Sequence, residues 1–408
     1  MSSGVTLTAT TFGSLTDSAG RSVEVKKFTW QTKAGLKLAI LSLDAAIVEL
    51  WVPDRDRQSA NILLGPDTLE EYLQLDSDLI CGACFEHEGI ESGEAKKRPI
   101  ADRVWQPFVD GTRLHLSVLL RCGRKNTVAT VSVSVDPTNA VHCHYQTCST
   151  GKVVRLAHRL LVNLAGRDAG PAGTYAHVVQ LNANSYVDGR RNLRDASDDV
   201  ADLRVAQHLG FSLHRANGGT KNLAGVYSLQ TGSSTGRGPL TRGGQTFGLR
   251  LIHGGTGRVV ELYCDFPWLR FNTLNHLPDT EDSISSYYPR HGLRQLSLLF
   301  DLNHFIMSIV NAIEGGPEVL IQDNKHDNNK EKFNPDGRFV KHCGFLVHPL
   351  GNIVMIGPGG GTRTAETDPK SRPTYFNAHV SLKFGLCREM RSRSAVRKSV
   401  KSVKKGRV

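Results

Sequence analysis

A chain of 408 residues, 39% hydrophobic and 22% charged, has enough apolar material for one large core or two ordinary ones, which excludes a disordered chain. Of the net charge of +11, the last 21 residues hold +8, nine Lys/Arg against Glu389, so the near-neutral body does not mark a nucleic-acid-binding fold. No run approaches the roughly 18 consecutive apolar residues of a membrane span, and Met1–Thr11 lacks a basic-then-apolar signal pattern, so a soluble intracellular protein is expected.

Taken in chain order, period-two patterns dominate. Leu36–Leu43 reads as a strand, and Thr68–Leu73 as a single short helix. In Thr127–Val135 the valines 131, 133 and 135 alternate with Ser132 and Ser134. In Val141–Tyr145, Val141, Cys143 and Tyr145 alternate with His142 and His144. Val178–Leu181, Arg258–Tyr263 and Val380–Phe384 read alike, and His253-Gly254-Gly255 reads as a hairpin turn. Short strands at this spacing predict a large antiparallel architecture, a sandwich or barrel, with no internal repeat. Long insertions interrupt the second half: a Gly/Ser/Thr-rich loop at 231–244 and an Asn/Lys-rich one at 323–336. Leu293–Ile313 has helix-compatible apolar spacing, broken by Asp301, Asn303 and His304. The glycine-rich Gly357–Thr362 has no lysine for a phosphate loop and reads as a turn.

The eight cysteines fall well short of a disulfide scaffold, so free thiols are expected. Cys81-Gly-Ala-Cys84 has metal-ligand spacing, but a second clean pair is missing, and in a strand His142 and His144 face away from Cys143. No metal and no cofactor is expected.

In order along the chain, a set of short motifs resembles the galactose mutarotase (aldose 1-epimerase) family. They are Phe12-Gly13, Glu24–Phe28, Ala45–Leu50 with Val52-Pro53-Asp54-Arg55, Leu63-Leu64-Gly65 with Leu69-Glu70 and Tyr72-Leu73, and Asn163-Leu164-Ala165-Gly166 with His177-Val178. Further on come Asp202-Leu203-Arg204, Gly257-Arg258-Val259 with Glu261 and Tyr263, Phe271 and Asn275, Tyr288-Pro289-Arg290-His291, and a last strand at Tyr375–Gly385. The resemblance implies an all-β fold, a β-supersandwich over residues 8–387 with long loop insertions, followed by a disordered basic tail, 388–408.

Mutarotation needs a base at the anomeric hydroxyl and an acid at the ring oxygen. In the family these are a glutamate and a histidine, helped by a second histidine and a sugar-holding aspartate. Anchored on Asn163-Leu164, the acid position falls on Arg159, which keeps its proton at physiological pH; His158 is the neighbouring substitute, but one residue along a strand faces the other side. Six residues after His291, the base position falls on Ser297. The second-histidine loop is deleted after Phe85-Glu86-His87-Glu88, and Ala224 stands at the aspartate's place. His87, Arg159, His177 and Asn275 are placed around the cleft; of these, His177 and Asn275 match the family's residue types.

The expectation is therefore a mutarotase-like protein without the family's catalytic groups, keeping a hexose cleft for a binding or scaffolding role. The alternative is an active aldose 1-epimerase that has recruited other groups. The tail, with serines 392, 394, 399 and 402 among its cations, suits nucleic acid or acidic protein surfaces, or a nuclear address on a cytoplasmic protein.

Overall fold

Strands with one apolar and one polar face need a second layer to cover the apolar one. The computed structural model describes residues 4–75, 79–86, 103–122, 125–150, 154–187, 193–195, 202–210, 224–229, 241–242, 244–274, 277, 341, 343–350 and 374–387, and it answers that need with stacked antiparallel sheets.

The chain opens with a meander of β1 (Val5–Thr16), β2 (Ser22–Thr32), β3 (Lys37–Leu41), β4 (Ile47–Pro53) and β5 (Ser59–Asn61), a five-stranded sheet in that order. Helix α1 (Leu69–Gln74) follows. Its first turn is capped by Thr68, whose hydroxyl accepts the Glu71 N–H at 3.1 Å, while the Glu71 carboxylate reaches back to the Asp67 N–H at 2.8 Å. After β6 (Ala83–Glu86), β7 (Gln106–Asp110), β8 (Arg113–Cys122), β9 (Lys125–Val135) and β10 (Ala140–Ser149) form a second meander.

Next come β11 (Arg155–His158), β12 (Leu160–Val162), α2 (Gly170–Tyr175), β13 (His177–Leu181), β14 (Ala183–Val187), β15 (Leu193–Asp195) and β16 (Gln207–His208). Then follow β17 (Ala224–Leu229), β18 (Thr241–Arg242), β19 (Gln245–His253), β20 (Arg258–Cys264), β21 (Trp268–Asn272), β22 (Phe345–Leu350) and β23 (Thr374–Leu386). Among the described residues, a large sheet runs β16-β13-β19-β20-β23-β10-β9-β8-β7, with β18 on β19. A smaller one runs β12-β22-β21-β17-β14-β15, and β11 pairs with β6.

Burial shows how the sheets face one another. In β10, Val141, Cys143 and Tyr145 are buried, whereas His142 and His144 turn outward. Leu249, Leu251, Val260, Leu262, Leu382 and Phe384 of the large sheet meet Leu160, Val162 and Val347 of the smaller one around an apolar void of about 20 Å³. The smaller sheet is different in character: all six residues of β22 are buried, so both of its faces are covered. Gly344 is what lets β22 approach β12, because a Cβ there would lie 2.8 Å from the Val162 carbonyl oxygen.

The strands expected at Leu36–Leu43, Thr127–Val135, Val141–Tyr145, Val178–Leu181, Arg258–Tyr263 and Val380–Phe384 are all present, and the His253–Gly257 turn closes the β19–β20 hairpin. The short helix expected at Thr68–Leu73 is α1, and a second helix, α2, was not expected. Gly170-Pro171-Ala172-Gly173-Thr174-Tyr175 has the composition of a turn, yet it forms α2 because Asn163 Nδ2 donates to the Gly170 carbonyl and to Thr174 Oγ1. Most of the 231–244 loop, and all of Leu293–Ile313, 323–336 and 388–408, lie outside the described residues.

Candidate functional site

The site is built on the face of the smaller sheet that points away from the large one. Arg270 of β21 and His348 of β22 are direct cross-strand partners, so their side chains share a face. The β12–β22 ladder starts at Leu160 against Val347, which sets Arg159, one residue earlier, abreast of His348. Val347 lines the void between the sheets. His348, one residue on, therefore faces the other way. The result is a row across three strands: Arg159, His348, Arg270. All three are buried, at 4%, 5% and 6% exposure. Val226 and Val187 continue the row past Arg270, and with Leu350 and the half-buried Trp268, two residues further along, they form a small apolar cluster.

His348 is the unusual member. Neither Nδ1 nor Nε2 has a hydrogen-bond partner, although both atoms are fully buried. Burial, then the charges of Arg159 and Arg270, hold its pKa well below the ordinary 6.5, so the ring is neutral at physiological pH. An unpaired buried polar group costs on the order of 1–3 kcal/mol.

His158 adjoins the row in sequence but not in direction. Its Nδ1 accepts the Tyr145 hydroxyl at 2.9 Å and its Nε2–H donates to the Ala45 carbonyl at 2.9 Å. Burial lowers its pKa to about 4. The Ala45 carbonyl is itself held in place: Asp44 and Ala45 adopt positive φ angles of 53° and 47°. That turn is fastened by Arg103, which donates to Asp44 at 2.7 Å, and by the buried Tyr72 hydroxyl at 2.9 Å. His158 thus supports the site rather than offering it a free nitrogen.

His177 lies elsewhere, at the α2–β13 junction. Its Nε2 accepts the Leu164 N–H at 3.1 Å, and its Nδ1–H is shared between the Gly173 and Thr174 carbonyls at 2.9 and 3.1 Å. Burial, reinforced by His253, lowers its pKa to about 3. Both nitrogens are spent on the backbone, so the placement departs from the cleft position expected of it. His87, Asn275 and Ser297 lie outside the described residues; Ala224 begins β17.

Cys81, Cys143, Cys264 and Cys343 are buried free thiols. Cys81 accepts the Leu161 N–H at 3.2 Å and donates to the Leu64 carbonyl, and burial pushes its thiol up to about 12. Among the described residues no three His, Cys, Asp or Glu side chains are grouped to hold a metal ion.

The sequence contained a signal for His348. A second basic-His pair, Lys341-His342, is followed six residues later by His348, the same spacing that led from His291 to Ser297. Ser297 lies outside the described residues; among the described residues, His348 stands beside Arg159.

Comparison with known proteins agrees with this architecture. No family model matches the chain. Galactose mutarotase of Sus scrofa is 25% identical over 321 residues, 71% of this chain and 88% of that protein. The Bos taurus galactose mutarotase is 26% identical over 321 residues, covering 71% and 88%. The Homo sapiens protein is 26% identical over 319 residues, covering 70% and 87%. Among solved structures, a GalM/aldose epimerase homologue from C. elegans superposes with a TM-score of 0.54 at 12% identity, covering 87% of this chain and 97% of that one. Galactose 1-epimerase from Lactobacillus acidophilus gives 0.52 at 13%, covering 94% and 100%. In sequence the chain is similar to the galactose mutarotases, and in fold to the aldose epimerases.

Proposed function

We propose that this chain, a divergent relative of the galactose mutarotases, binds a hexose at the Arg159–His348–Arg270 row without interconverting its anomers. The observation that carries the reading is the row Arg159–His348–Arg270. Mutarotation moves two protons, one off the anomeric hydroxyl and one onto the ring oxygen. A guanidinium keeps its protons at any physiological pH and serves as neither acid nor base. The imidazole of His348 is uncharged, so it has no acidic proton to give, and its lowered pKa makes it a weak base. Among the described residues, the groups that bear on its charge are Arg159, Arg270 and His158, none of them a carboxylate. What the row can do is orient hydroxyls and oxygens, with Trp268 and its apolar neighbours offering a surface for the flat face of a sugar.

Polarimetry of freshly dissolved α-galactose and α-glucose tests this. Mutarotation is expected at the buffer rate with the purified protein and equally with His348→Ala. A clear acceleration that disappears in His348→Ala would establish instead an active aldose 1-epimerase with a recruited base.

A further inference from the structure

We propose that the chain self-associates through β1: two copies pair their open strand edges antiparallel, about a two-fold axis at Ala9, and so join two five-stranded sheets into one.

A strand at the rim of a sheet leaves every second backbone N–H and C=O unpaired, and such rims are ordinarily kept short or carry a proline or a charge. Most rims among the described residues follow that rule. β5, β6, β11, β12, β15 and β16 are two to four residues long, and β7, with five, contains Pro107 and Asp110. β1 is the exception. It runs for 12 residues at the rim of its sheet and contains neither a proline nor a charged residue. Within Thr6–Thr11, Leu7 is half-buried and the other five residues are exposed.

The register decides which of its groups are open. Gly4 stands opposite Lys33, one step beyond the Val5–Thr32 pair, and the Lys33 N–H donates to the Gly4 carbonyl at 2.9 Å. Directly opposite residues that share such a bond alternate with pairs that share none, so Thr6, Thr8 and Thr10 also turn their backbone groups toward β2. Those of Leu7, Ala9 and Thr11 point to the open rim. These three positions are symmetric about Ala9. In a second copy laid antiparallel, Ala9 meets its own counterpart and Leu7 meets Thr11 in both directions, with two backbone hydrogen bonds for each of the three pairs.

The side chains suit the same register. Leu7 packs against the core, which puts Thr8 and Thr10 on the other face, and there Thr8 falls across from Thr10 of the second copy as a favourable cross-strand pair. On the core-side face the small Ala9 sits at the axis, where a bulky side chain would collide with its own copy. No like charges meet, because the strand has none. The contact is isologous and consumes the rim it is made from, so it stops at a dimer. A second copy is favoured over an unrelated extended peptide because the strand itself supplies the complementary register. A single strand pair falls short of the roughly 1,200 Å² of a stable interface, so the dimer is weak and concentration-dependent.

The experiment is sedimentation velocity on the full chain from about 5 to about 300 µM, a range that brackets a weak association, with amide hydrogen exchange read by NMR at both ends. A monomer–dimer equilibrium is expected, its dimer fraction rising several-fold across the series. The amides of Leu7, Ala9 and Thr11 should gain protection with concentration, whereas those of Thr6, Thr8 and Thr10 are protected throughout. Ala9→Pro removes an N–H that β2 does not use, and Ala9→Lys sets two like charges at the axis. Each should weaken the dimer ten-fold or more, with circular dichroism unchanged. Val109→Lys, on the rim strand β7, should leave it as it was. A chain that stays monomeric to the top of the range would overturn the proposal. So would growth past the dimer, a dimer indifferent to both Ala9 variants, or one lost equally with Val109→Lys.

Discussion

The neighbourhoods of His177 and His348 answer the same physical problem in opposite ways. Each buries an imidazole in β structure, each places it against aromatic or cationic neighbours, and in each the ring is neutral because burial disfavours its charge. Around His177 three backbone groups from α2 and from the Asn163–Gly166 turn converge on the two nitrogens, and Phe345 packs edge-on at 5.0 Å. Around His348 nothing converges. The first arrangement returns in hydrogen bonds what it lost in hydration, and so it is complete as built. The second leaves the loss standing, which a fold tolerates where a ligand is to be bound. Conserving a residue type between relatives therefore says little about its role here: His177, which matches the mutarotase pattern, is a structural pin, and His348, which matches no family residue type, faces the site.

The broadest way to test the contrast is with pH. Histidines 158 and 177 have folded-state pKa values of about 4 and about 3, below the unfolded value near 6.5. Between those limits the unfolded chain binds more protons than the native one, so stability is complete above about pH 6.5 and falls as pH drops. Each group contributes a slope of about 1.4 kcal/mol per pH unit. From pH 6 to 4.5 the two together should cost about 3–4 kcal/mol, and the buried His348 adds to the fall in the same direction, all read as a fall in the urea midpoint. A flat profile over that range would mean that neither ring is buried as described.

A smaller effect isolates one pin. His177→Leu keeps the volume but strands the Leu164 N–H and leaves the Gly173 and Thr174 carbonyls with the Ala176 N–H alone. It should lose about 3 kcal/mol in urea unfolding with an unchanged m-value. A loss below about 1 kcal/mol would show that α2 and the turn are held by something else.

These contrasts explain what the sequence disclosed. The alternation of Val141, Cys143 and Tyr145, or of the valines in β9, displays its own burial, because in a sheet the side-chain period is the fold's period. The motif residues also carried the family resemblance, and the structure shows them at work on the scaffold. Arg258 is 2% exposed and joins β20 to the first sheet by donating to the carbonyls of Val52, Leu164 and Gln58. Asn163 bridges to the carbonyls of Gly170 and Cys343. The site was less legible. Arg159 could be reached by counting from Asn163, but Arg270 and His348 meet across two strands separated by more than seventy residues of sequence, and two basic-His pairs competed for the same spacing. Nor could α2 be read, since glycine and proline signal a turn unless distant partners such as Asn163 hold them in a helix.

The smallest expected effect is the most discriminating. His348→Leu makes the same substitution as at 177, in a ring of similar burial, but it removes two polar atoms that have no protein partner. The desolvation penalty they incur on folding disappears with them, and a leucine fills most of the volume against Leu346, Leu350 and the neighbouring strand β12. Stability should rise by about 1 kcal/mol, or stay within about 0.5 kcal/mol of the parent once a small cavity term is charged against the gain. Paired urea curves of His177→Leu and His348→Leu, collected at pH 7.5 where all the buried imidazoles are neutral, should thus differ by more than about 2 kcal/mol. A loss of 2 kcal/mol or more at position 348 would mean that the ring is tied into the fold, and the open nitrogens of the proposed hexose site would not exist.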